Sequence, residues 1–186
     1  MNSEIETVQK LIANEHIFNE RDSRIQALHH HAFNSYSKYN QLVKTDAHYH
    51  DEILRSLFNQ VGTDLYIEPD FHCQFGFNIS LGDEVFLNHD CTLQDFAPIT
   101  IGNQANIAPR VGFYTANAPE KADHEPHNLI AKPIVVKDNV WIGGNAVIMG
   151  GVTIGENAII GAGCVVDHDV PANALAVGNP MQIKKI

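Results

Sequence analysis

Between Val136 and Ala172 an aliphatic or small residue recurs at every sixth position: Val136, Ile142, Ile148, Ile154, Ile160, Val166 and Ala172. A second apolar series runs four places behind, through Val140, Ala146, Val152, Ala158, Cys164 and Val170. An amphipathic helix needs a period near 3.6 and a half-buried strand a period of about 2, so neither explains sixes. Six-residue units predict a parallel β-helix, in which each unit forms a short strand and a turn and three units make one triangular coil. Only stacking the coils buries an aliphatic core that no single coil could bury.

The same phase begins raggedly at Ile67, Cys73 and Ile79, becomes regular at Leu81, Leu87 and Leu93, and continues at Ile101, Ile107 and Phe113. It then lapses until Val136. The intervening stretch contains Pro119, Pro126 and Pro133 and does not fit a coil, which predicts a projecting loop over about residues 114–133. Long loops on rigid scaffolds are where binding and catalytic groups concentrate.

Residues 1–61 have a different pattern, without Pro and with apolar residues at helical spacing. Val8, Leu11 and Ile12 mark a first helix, and Ile25, Leu28, Ala32 and Phe33 a second. Ile53, Leu54, Leu57, Phe58 and Val61 mark a third, with an N-cap at Thr45 or Asp46 and a stop at Gly62. The expected fold is mainly β: a helical N-terminal cap over 1–61, then a β-helix over 62–186 that carries the loop and ends in a short tail.

Composition narrows the function classes. Twelve Lys and Arg against 22 Asp and Glu give a net charge of −10, which together with the lack of a basic cluster argues against nucleic-acid binding. The N-terminus is polar and no apolar run approaches the roughly 18 residues of a membrane span, so a soluble cytoplasmic protein is expected. Cys73, Cys91 and Cys164 are widely separated, which disfavours disulfides and zinc ribbons and suits core packing. No metal is expected. His29, His30, His31, His48 and His50 read as a solvated cluster, since adjacent helical side chains diverge by about 100° and three in a row do not surround one ion.

The segments FGFNISLGDEVFLNHDCTLQD, ITIGNQANIAPRV, PIVVKDNVWIGGNAVIMGGVTIGENAIIGAGCVV and VPANALAVGNP resemble the maltose and galactoside O-acetyltransferases, the sugar O-acetyltransferase branch of the hexapeptide-repeat superfamily. The resemblance covers essentially the whole chain, helical N-terminus included. It implies a left-handed β-helix, a homotrimer with active sites between subunits, and acetyl transfer from acetyl-CoA to a sugar hydroxyl. A sugar alcohol is a poor nucleophile until a general base removes its proton, and the family's base is a histidine in a T-x-x-H-P loop.

Carried over residue by residue, the family pattern places Asn88 and Asp95 on the acceptor side, with Gln74 and Phe77 where acceptor contacts fall; the last two leave a non-sugar hydroxyl acceptor open. Asn88 and Asp95 are equally suited to turn residues that bond their own backbone. On the donor side it marks Trp141, Gly143 and Gly144 of VWIGG, Ala162 and Gly163 of GAG, and then His168 and Lys185 for the coenzyme. Tight turns would require those glycines whether or not anything binds. Two positions depart from the family. Thr115-Ala-Asn-Ala118-Pro119 puts Ala118 at the base position, and Asp167-His168 stands where the family has Thr-Lys beside the coenzyme phosphates. His124 in the loop is the candidate substitute base, with His127 and His89 behind it. The expected function is an O-acetyltransferase slowed or altered by the missing base; the alternative is a catalytically silent trimeric binding protein of the same fold.

Overall fold

The computed structural model describes residues 2–13, 16–46, 48–119 and 127–185. The sixes do build a parallel β-helix of three sheets. Its first face stacks Gln60–Val61, Ile79–Leu81, Ile99–Ile101, Ile134–Val136 and Thr153–Ile154. The second stacks Tyr66–Ile67, Phe86–Leu87, Asn106–Ile107, Trp141–Ile142, Ile159–Ile160 and Ala174–Val177. The third stacks His72–Cys73, Thr92–Gln94, Gly112–Tyr114, Val147–Met149 and Val165–Val166.

The inward residues form vertical ladders one coil apart. Val61, Leu81, Ile101, Val136 and Ile154 align on the first face, and Cys73, Leu93, Phe113, Ile148 and Val166 on the third. All of these but Val61 are buried, and so is the second series from Val140 to Val170. The three cysteines lie buried in this core. The regular phase fails at its last member. Ala172 is exposed, and Val170 bridges to Ile154 instead. The corner Asp167–Asp169 is shorter than those below it, and Asp169 Oδ1 accepts the Thr153 N–H at 2.7 Å, which pulls Val170 into the rung.

Turns between the first and second faces use left-handed residues, among them Asn139, Asn157 and Asn173 at φ 55°, 59° and 56°. Their amides form a ladder, with Asn139 Nδ2 donating to Asn157 Oδ1 at 2.8 Å and Asn157 Nδ2 to Asn173 Oδ1 at 3.0 Å. Asparagine tolerates this conformation better than other L-residues do, which explains its recurrence at one hexapeptide position.

A stack of coils leaves an open edge at each end, and open edges invite further pairing. At the upper end Gln182–Lys185 pairs antiparallel with Ala174–Val177. The helix α1 spans Asn2–Ile12, α2 spans Ser23–Thr45 and α3 spans Asp51–Leu57. At the lower end α2 and the segment that joins it to α3 supply the partners. From α2, the Tyr39 hydroxyl donates to Ile67 O, while Asn40 donates to Phe71 O at 2.8 Å and accepts from Phe71 N at 3.0 Å. Tyr49 Oη accepts from Ile67 N at 2.6 Å.

The helical boundaries differ from those expected. Thr45 and Asp46 close α2 instead of capping α3, because Tyr36, Tyr39 and Asn40 extend its buried face over the first coil. Val61 pairs with Leu81 in the first rung and is not helical, and Phe33 is exposed. A separate core joins α1 and the start of α2 to the side of the β-helix through Val8, Ile12, Phe18, Ile25, Phe75 and Phe96. The two legs of the loop pair with each other where they meet the coil. Ala116–Asn117 and Asn128–Ala131 form a hairpin whose outer strand pairs with Phe18–Asn19. Among the described residues no helix is long and apolar enough to cross a membrane.

Candidate active site

The coils bring part of the sequence-derived set onto one edge, between the second and third faces. This corner stacks Asn88-His89-Asp90, then Ala108-Pro109-Arg110, Gly143-Gly144-Asn145 and Gly161-Ala162-Gly163. Arg110 N donates to His89 O at 3.0 Å, Asn145 N to Pro109 O at 3.0 Å and Gly163 N to Gly144 O at 2.9 Å. Asn88 therefore stands below the glycines by two coils, about 10 Å at the usual strand spacing. Trp141 borders the same corner on the second face and is 55% exposed.

The glycines have different reasons to be glycine. A Cβ on Gly143 would lie 2.6 Å from Ala162 N and 2.9 Å from Ile160 O, so tight coil stacking excludes it. A Cβ on Gly163 would meet nothing within 4 Å, and φ +69° is its only demand. Among the described residues, the backbone N–H groups of Gly144 and Ala162 have no acceptor. The upper corner thus offers two donors beside a flat exposed ring. Asn88 Oδ1 accepts from His89 N at 2.8 Å, a local turn contact.

Beside Asn88, His89 Nδ1 lies 2.8 Å from Asp90 Oδ2, with the two side chains 50% and 42% exposed. The contact with His89 holds the Asp90 carboxyl below its ordinary value, with Arg110 Nε 3.7 Å away adding to the effect. A carboxylate on Nδ1 fixes the tautomer that leaves Nε2 as a proton acceptor. The adjacent His-Asp pair was visible in the sequence, but its closeness to the glycine positions depends on how the coils stack.

A second group lies at the next corner, between the third and first faces, where the loop emerges. Asp95 is fully buried. Its Oδ1 accepts from Gln74 N at 2.9 Å and Phe75 N at 2.8 Å, and its Oδ2 from Asn78 N at 3.3 Å. Burial pushes its carboxyl up to about 7, against the lowering effect of those amides. Gln74 is half-buried and its carbonyl contacts His29 Nδ1 at 3.0 Å. Thr115 ties down the loop: its hydroxyl donates to Gln94 O at 2.6 Å and accepts from Ala97 N at 3.1 Å. Ala118 follows the hairpin strand and is exposed. Above them His168 Nδ1 lies 2.6 Å from Asp167 Oδ1, both exposed. A cavity of about 440 Å³ opens beside Asp95, lined by Gln9, Ile12, Asn78, Phe96 and Ala131 among others.

Of the remaining candidates, His127 Nδ1 contacts Glu20 Oε1 at 3.0 Å, tying the loop to the N-terminal region. Lys185 pairs through its backbone with Ala174 in the antiparallel strand that ends the second face. His124 lies outside the described residues. Within one chain, then, Asn88, His89 and the glycines occupy one edge of the third face, while Gln74, Asp95, Ala118 and His168 occupy the other.

Comparison with known proteins bears on what this arrangement is. The family description "Bacterial transferase hexapeptide (six repeats)" matches residues 133–168. Nodulation protein L of Rhizobium meliloti is 38% identical over 177 residues, 95% of this chain and 96% of that protein. A maltose O-acetyltransferase structure from Clostridium difficile superposes with a TM-score of 0.89 at 33% identity, covering 96% of this chain and 95% of that one. A hexapeptide-repeat-containing acetyltransferase from Vibrio cholerae, solved with acetyl coenzyme A, gives 0.82 at 36% identity over 98% and 97%. Likeness of this order over nearly the full length of both chains shows that the chain belongs to the hexapeptide-repeat acetyltransferase family.

Proposed function

We propose that this protein transfers an acetyl group from acetyl-CoA to a hydroxyl of a sugar or another small acceptor, with the base role displaced from the loop. The observation that carries this reading is the corner stack. Free N–H donors at Gly144 and Ala162, beside exposed Trp141, suit the amide-bearing arm of the coenzyme, and Asn88 with the His89–Asp90 pair lies two coils below. The bound coenzyme supplies the activated acetyl thioester. His89 Nε2 takes the acceptor hydroxyl proton during attack, Asp90 steadies the imidazolium, and the proton then passes to the departing thiolate. His124 competes with His89 for this role; the pairing with Asp90 favours His89.

The two groups of site residues flank the third face, so a complete site needs a neighbouring copy to bring its loop corner against the glycine corner. We therefore read the working form as a homotrimer, and the exposed Tyr66, Trp141 and Ile159 on the second face supply apolar surface for it. At the phosphate end, the Asp167–His168 pair is a weaker anion site than a lysine.

Purified protein incubated with acetyl-CoA and a panel of sugars should release free thiol slowly, and His89→Ala should lower the rate by about 10²-fold or more. Ala118→His should raise it by orders of magnitude. A blank panel together with no coenzyme binding by calorimetry would sink the reading. It would favour the second one, a silent trimeric binding protein, for which the exposed Ala118 at the base position speaks. Sedimentation measures the oligomer directly.

A further inference from the structure

We propose a divalent metal site at the junction of α2 and α3, formed by His48, His50 and Glu52 and oriented by Asp46. It is independent of the acetyl-transfer reading. One donor atom from each of the three lies within 4.8 Å of the others. His50 Nδ1 is 3.1 Å from Glu52 Oε1, and His50 Nε2 is 3.1 Å from Asp46 Oδ2. The rings of His48 and His50 meet edge to face with centroids 4.8 Å apart.

The local backbone explains the convergence. Asp46, His48 and His50 alternate between the end of α2 at Thr45 and the start of α3 at Asp51, and Glu52, the second residue of α3, continues the alternation. Tyr49, in between, is committed to the β-helix: its hydroxyl accepts from Ile67 N and its ring stacks on Tyr66. That anchor ties the chain down at the residue between the two histidines, so both flank a fixed point. His50 is the held member, its side chain 15% exposed, whereas Glu52 is 60% exposed and free to close.

The chemistry fits a borderline cation. Two imidazoles and a carboxylate suit Zn²⁺ or its neighbours, whose donor distances are about 2.0–2.2 Å. Donors that far apart need a shift of about an ångström to reach such a geometry, within the reach of the exposed His48 and Glu52 side chains. Asp46 takes the outer role found at metal-bound histidines: it accepts from His50 Nε2–H and so leaves Nδ1 for the ion, on the side where Glu52 already stands. A fourth position would hold water. Because the loop carries Tyr49, an ion there would clamp the two helices that close the first coil.

The test uses full-length protein without a histidine tag, titrated with Zn²⁺ by calorimetry and with Co²⁺ by visible absorption. One tight equivalent with tetrahedral Co²⁺ bands, and a higher thermal midpoint with Zn²⁺, is expected. His50→Ala should abolish the bands, and His48→Ala or Glu52→Gln should weaken binding tenfold or more. Asp46→Asn should weaken it by about 10–100-fold while leaving the band positions unchanged. A double variant His30→Ala/His31→Ala should bind like wild type. The proposal is overturned if binding is absent, if it survives His50→Ala in a variant whose circular dichroism is native, or if it is lost only in the His30/His31 variant.

Discussion

Asp95 poses a contest between two large effects. Full burial disfavours the carboxylate, while three backbone N–H groups, from Gln74, Phe75 and Asn78, favour it. Desolvation wins, and the carboxyl rises to about 7 from an ordinary 3.8. A carboxyl raised in the folded state contributes stability that is complete below the unfolded value and is lost as pH climbs through the folded one. Between about pH 4 and 7 the native chain keeps a proton that the unfolded chain has released. Stability should then fall with a slope approaching 1.36 kcal/mol per pH unit, about 3 kcal/mol in total between pH 5 and 8 as an upper figure. Asp95→Asn removes this contribution, because its Oδ1 still serves two amides and its charge no longer changes. Urea unfolding of both proteins by far-UV circular dichroism, at one protein concentration and at pH 5, 6, 7 and 8, isolates the effect in the difference between them. The wild type should lose ground to Asp95→Asn as pH rises. A difference that stays flat, or moves in favour of the wild type toward pH 8, refutes the reasoning, because the three amides would then hold the carboxylate ionised. Asp95→Ala, which strands all three donors, should cost about 3–6 kcal/mol at pH 5 and less toward pH 8, where the wild type has lost the contribution of its proton.

The lower edge, the loop and the turns give further tests. Asn40→Ala strands the Phe71 N–H and C=O and should lower the unfolding free energy by about 2–4 kcal/mol, read from the urea midpoint at unchanged slope. In Gly150→Ala a Cβ would come within 2.4 Å of Thr115 O and 3.1 Å of Lys132 O, both backbone, where the two legs of the loop meet the coil. It should destabilise by about 2 kcal/mol or more and raise hydrogen exchange of the 127–131 hairpin amides before that of the coils. Asn157→Ala breaks two ladder bonds at φ 59° and should cost more than Asn157→Gly, which loses the same bonds without the left-handed penalty; thermal midpoints of the pair compare the two.

The sequence alone determined which side chains point inward. Inward or outward direction is a local property of a six-residue unit, so Val136 through Val166 could be assigned without knowing how the coils stack. It also determined where the phase breaks and that alanine stands at position 118, both plain facts of order along the chain. Tertiary structure decided how the positions stack. Which corners share an edge depends on the summed length of every intervening unit, including the loop and the short Asp167–Asp169 corner that displaced Ala172 from its expected rung. Only the closed coils put His89 and Asp90 on the edge that carries Gly144 and Ala162, and Asp95 on the opposite edge, with its carboxylate given over to three amides. The length of α2 was likewise hidden, because its last turns are stabilised by the open backbone of Ile67 and Phe71, groups that do not come within reach until the first coil has formed.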